Sequence, residues 1–98
     1  MGEIEETEDA SLMTPEIQKM ELEDKYYHVR FNDPDMFEII RTPDWADNVS
    51  DSVIEGSEVR MGKTSEDEWM VETVLIPREA GEKEARQHAE RIVEKINS

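Results

Sequence analysis

Apolar residues along the chain fall into short runs with two different periods, and the periods predict the elements. Tyr26 to Phe31 is rich in strand formers, with Tyr27, Val29 and Phe31 sharing one face at period two, which predicts a strand. After it, Asn32-Asp33-Pro34-Asp35 fits a hairpin turn or a helix start with Asp33 as N-cap. Met36, Phe37 and Ile40 favour a short helix there, and a strand through Phe37 to Ile40 is the alternative for residues 33–41. Thr42-Pro43-Asp44 reads as an N-cap, a first-turn proline and an acidic first turn, so a helix is expected from Pro43 to about Glu55 with Gly56 as its stop. At about 100° per residue, Trp45, Ala46, Val49 and Val53 gather on one side of it and Asp44, Asp47, Asp51 and Glu55 on the other.

Ser57 to Thr64 and Glu68 to Pro77 form two strand-like runs around the polar loop Ser65-Glu66-Asp67. The second run is apolar on both faces, as a central strand covered by helices would be, and Pro77 closes it because it has no N–H to donate. From Gly81 to about Asn97, Ala85, Ala89, Ile92, Val93 and Ile96 mark one stripe of an amphipathic helix. The reading is an α+β domain over residues 25–98: a mostly antiparallel sheet of about three strands covered by a central and a C-terminal helix. Its element order is similar to the first five elements of a split βαβ, ferredoxin-like unit. Trp45 and Trp69 are both expected in its core.

Length and charge divide the chain further. Its 98 residues hold a single core, and 26 acids against 11 lysines and arginines give a net charge of −15. Residues 1–24 contribute −8 of that with few apolar anchors, so they read as an acidic arm, largely disordered, with mobility expected above all over residues 1–12. Thr14-Pro15-Glu16 fits a helix start within the arm, continued by Ile17 and Met20, either docking on a partner or packing on the chain's own domain.

The acidity argues against direct nucleic-acid binding and against an anionic membrane surface. With no cysteine there is no disulfide, thiolate nucleophile or cysteine zinc site, and no apolar run is long enough for a membrane span. The acidic N-terminus lacks the basic region of a secretory signal, so a cytoplasmic protein is the expectation.

Candidate chemistry is sparse. Gly62-Lys63-Thr64 looks like the end of a phosphate-binding loop, but Ser57 stands where that loop needs glycine, and the segment leads into a hairpin rather than a helix. A turn-facing lysine fits better. His28 and His88 have no metal-ligand spacing, and His88 has Glu84 four residues before it. Asn48-Val49-Ser50 matches a glycosylation sequon inside a helix, and Tyr26, Tyr27 and Arg30 form a base-stacking pattern that the charge opposes. No catalytic, cofactor or metal residue is assigned.

Ile40 to Ala46, followed by Gly56 to Thr64 and by Trp69, resembles a group of small, uncharacterised archaeal proteins. That resemblance covers about half the chain, implies an archaeal cytoplasm and carries no activity. The leading expectation is a non-catalytic binding or regulatory domain that engages a basic protein partner through Asp44, Asp47, Asp51 and Glu55. The competing expectations are an acidic surface serving only solubility or salt adaptation, a nucleic-acid mimic, and a small enzyme or enzyme subunit. Nothing in the pattern indicates a homo-oligomer.

Overall fold

A computed structural model describes residues 16–98. Five strands, β1 (Lys19–Glu23), β2 (Tyr26–Arg30), β3 (Ile39–Arg41), β4 (Glu58–Lys63) and β5 (Trp69–Pro77), form one sheet in the order β1-β2-β5-β4-β3. Two α-helices, α1 (Asp44–Val53) and α2 (Glu82–Asn97), pack on the sheet and on each other. The chain is therefore α+β, with five strands rather than three. All neighbouring strands run antiparallel, so the parallel crossover of a ferredoxin-like unit is absent from the described residues.

The first additional strand comes from the segment read as an arm. β1 pairs with β2 along its whole length, from Lys19 opposite Arg30 to Glu23 opposite Tyr26. Asp24, at a φ of 54°, makes the tight turn between them, a left-handed conformation that aspartate tolerates better than most residues. The ordered domain thus begins before Lys25. Met20 lies in a strand instead of continuing a helix, while the helix start at Thr14-Pro15 and the disorder expected over residues 1–12 fall outside the described residues.

Both readings of residues 33–41 are partly met. Asp33 caps a single 3-10 turn, Pro34–Met36, by accepting from the Asp35 N–H at 2.9 Å, and β3 follows at Ile39. Helix α1 starts one residue later than expected, with Pro43 as N-cap and no side-chain cap bond, and it ends at Val53, two residues short of the expected Glu55. Gly56, with a φ of 87°, turns the chain toward β4 in a conformation that favours glycine.

β5 is the central strand, and a bulge in it explains why its apolar residues do not alternate. Arg60 faces Thr73 and Met61 faces Val71, so Glu72 has no partner on β4. Val71 therefore joins Val74 and Ile76 on the helix-covered side. The Glu72 carbonyl accepts from the Phe31 N–H at 2.8 Å, and the Asn32 amide donates to the Val71 carbonyl at 2.7 Å, so backbone groups at the bulge are satisfied. Against this face the predicted stripe of α2, Ala85, Ala89, Ile92 and Val93, is buried, together with Val29, Val59, Met61 and Ala46. Helices cover one face of the sheet. The other face carries mostly polar side chains. Among the described residues, no helix is long and apolar enough to cross a membrane.

Candidate binding site

The four carboxylates expected to form a surface row on α1 do not form a uniform one. Asp44 is exposed at the start of α1, and Glu55 is exposed in the turn that follows the helix. Asp47 is half-buried, and its Oδ1 accepts the Val59 N–H at 3.1 Å, which ties α1 to β4. Asp51 Oδ1 accepts the Gly56 N–H at 3.2 Å and fixes the turn after the helix. A carboxylate accepting a partly shielded backbone N–H makes a charge-assisted bond, so Asp47→Ala is expected to destabilise the domain by about 1–2 kcal/mol. Asp51→Ala should cost less, its bond being exposed, and urea unfolding of both variants measures the difference.

Next to the Asp44 end of that row, the fold assembles something that the periodicity did not show. β3 runs into Thr42-Pro43 and then into the first turn of α1, which carries Trp45. Trp69 opens β5 opposite Lys63, and Lys63 in turn faces Ile39 of β3. Both indoles, with Arg41, Thr42 and Pro43, line a cavity of about 440 Å³. Trp45 is 51% exposed and Trp69 45%, which corrects the expectation that both lie in the core. Acrylamide should therefore quench the native fluorescence nearly as efficiently as that of the unfolded chain, and strong protection of either indole would contradict this placement.

Trp45 follows Asp44, and Trp69 follows Glu66, Asp67 and Glu68, all exposed. The lysine of this loop is engaged: Lys63 Nζ lies 3.0 Å from Asp67 Oδ1. Thr64 Oγ1 accepts from the N–H groups of Glu66 and Glu68 at 3.3 and 3.2 Å, so Gly62-Lys63-Thr64 builds a tight hairpin. On the far side of Trp69, Phe31, Val71 and Val93 floor a second hollow of about 460 Å³. Trp69 thus lines both concavities.

The remaining sequence candidates take structural positions. His28 Nε2 lies 3.7 Å from Glu23, and His88 Nε2 lies 3.7 Å from Glu84. Ser50 of the sequon is fully buried within α1, its hydroxyl donating to the Asp47 carbonyl at 2.9 Å. Among the described residues, no group of three or more histidines and carboxylates is placed to hold a metal ion.

No family model, curated protein or solved structure matches the chain. Its functional reading rests on two half-exposed indoles in one groove, each flanked in sequence by exposed carboxylates, on a chain of net charge −15.

Proposed function

We propose that the chain is a non-catalytic binding module that docks a basic segment of a partner protein in the Trp45–Trp69 groove. The observation that carries this is the pairing of two indoles, each about half exposed, in a single cavity. Tryptophan is costly to leave in water and is enriched among residues that dominate interface energetics. The groove supplies apolar area, and the indole faces attract ammonium and guanidinium groups. Asp44, Glu66 and Glu68, exposed and flanking the tryptophans in sequence, favour a cationic segment within the field of an acidic chain and steer it on approach. Arg41, which also lines the groove, offers donors to the backbone carbonyls of such a segment.

This proposal moves the contact surface from the α1 row to its N-terminal end, because Asp47 and Asp51 are occupied with backbone bonds. The test is titration of the full chain with a short peptide of alternating arginine and leucine, followed calorimetrically. Trp45→Ala and Trp69→Ala are each expected to weaken binding about 30-fold, equivalent to about 2 kcal/mol. Glu55→Gln should change it less than twofold. Because the attraction is partly electrostatic, raising KCl from about 0.05 to 0.5 M should weaken the parent complex and leave a salt-resistant apolar remainder. Equal binding by the parent and both tryptophan variants would refute the proposal.

A further inference from the structure

On the opposite side of the sheet, the register brings four residues from four strands into one line. Lys19 faces Arg30, Arg30 faces Thr73, and Thr73 faces Arg60. Strands lie about 4.8 Å apart, so the two arginine backbones are about 10 Å apart across Thr73, well within the span over which two guanidinium groups converge. Lys19 has a partner, Glu21, at 3.5 Å. Arg30 and Arg60 are half-buried, and among the described residues neither makes an ion pair or a side-chain hydrogen bond.

That arrangement is costly in itself. Like charges flanking one position on a sheet repel, and a partly shielded guanidinium has five donors that seek acceptors. In a chain with more than twice as many acids as bases, two adjacent arginines without an acid partner need another explanation.

The two guanidinium-bearing residues line a cavity of about 320 Å³ whose lining also includes Thr73 and the bulged Glu72. Glu72 is only 5% exposed, and its Oε2 accepts the Thr73 hydroxyl at 2.6 Å. The cavity is at the small end of ligand sites, which span about 300–1,000 Å³. It therefore combines two cationic forks with the buried Glu72 and, from β1, the exposed carboxylates Glu21 and Glu23, the first of them paired with Lys19. The bulge is what makes this possible: a regular strand would leave Glu72 a partner on β4, whereas here its side chain joins that of Thr73 in one cavity.

We infer that this open face binds a small carboxylate carrying a hydrogen-bond donor on the adjacent carbon, of the hydroxy-acid or amino-acid type. Arg30 and Arg60 hold the carboxylate through paired N–H donors, and Glu72 accepts from the ligand hydroxyl or ammonium. The Thr73 hydroxyl, donating to Glu72, orients that carboxylate. A phosphate dianion is disfavoured because it would face the buried Glu72 charge, and a plain carboxylate leaves Glu72 without the ligand's donor. This site lies on the face away from the tryptophan groove, and its test is independent of that reading.

The experiment uses the full chain labelled with nitrogen-15 and four probes at matched ionic strength: L-lactate, glycine, acetate and inorganic phosphate. Saturable shifts of the Arg30 and Arg60 Nε–H and Thr73 amide signals are expected with lactate and glycine, with acetate about tenfold weaker. Arg30→Gln and Arg60→Gln should each abolish saturation. Arg30→Lys, which keeps the charge and loses the fork, should weaken lactate at least as much as acetate. Glu72→Gln should remove the preference for lactate over acetate, and where that variant fails to fold, the Arg30→Lys result decides. No saturable shift with any probe up to about 50 mM, or phosphate binding as tightly as lactate, overturns the inference.

Discussion

Replacing Gly62 by valine is expected to lower stability by about 3 kcal/mol, with a fall in Tm on the order of 10–20 °C. The reason is a close approach across the open face of the sheet. The 32–38 connection carries the chain from β2 past β5 and β4 to β3, and it lays the Phe37 ring against Gly62, where a Cβ would clash with the ring carbons. Phe37 cannot retreat freely, because the Glu38 N–H is bonded to the Lys63 carbonyl at 2.8 Å and holds the chain at that spot. Substitution therefore forces either the ring out of its site or β3 away from β4. A double-mutant cycle isolates the cause: adding Gly62→Val to a Phe37→Ala background should cost at least 1.5 kcal/mol less than adding it to the parent, measured at about this precision by urea unfolding. A Gly62→Val variant as stable as the parent would show that Phe37 does not pack there.

The second large effect lies on the other side of the sheet. Ile92 is fully buried in the stripe of α2 that packs on the sheet. Ile92→Ala removes its transfer free energy and leaves a cavity between helix and sheet, which together should cost about 3–4 kcal/mol. For a domain of this size that is a large share of a total stability on the order of 5–10 kcal/mol. Ile40→Ala, at an exposed position of β3, serves as the control and should cost less than about 1 kcal/mol. Comparable losses in both variants would mean that the core is not where α2 places it.

What the sequence revealed of this fold follows from which interactions are local. The α2 stripe was legible because residues three and four apart along a helix share a face whatever the rest of the chain does. Gly56 was legible as a turn for a similar reason, since its positive φ is a property of one residue, although the helix itself ends three residues earlier, at Val53. β1 was not, because its charge density reads as disorder, and Asp24-Lys25 lacks the glycine that usually marks a two-residue hairpin turn. Once β2 is in place, a polar edge strand needs only backbone bonds and one side chain such as Met20 toward the core.

The candidate sites were hidden for a different reason. Trp45 follows the helical period and looks like a core residue, yet on the first turn of α1 it stays half exposed in the groove it shares with Trp69. The Lys19-Arg30-Thr73-Arg60 line comes from segments far apart in sequence and depends on the bulge at Glu72. Asp47 matched the polar face by angle, but its bond to Val59 is set by how α1 meets β4. None of these three features has a local signature.

The central claim, that the paired indoles form the docking surface of an acid-rich module, is tested most directly by their own Nε1–H signals. The full chain, labelled with nitrogen-15, is titrated with the arginine–leucine peptide at low and at moderate salt. The account predicts that both indole signals shift together and saturate with one affinity, and that the Arg41 and Asp44 amides move with them while the Asp51 and Glu55 amides stay in place. Stationary indole signals with shifts confined to Asp51 and Glu55, or no saturable shift at all, would contradict it.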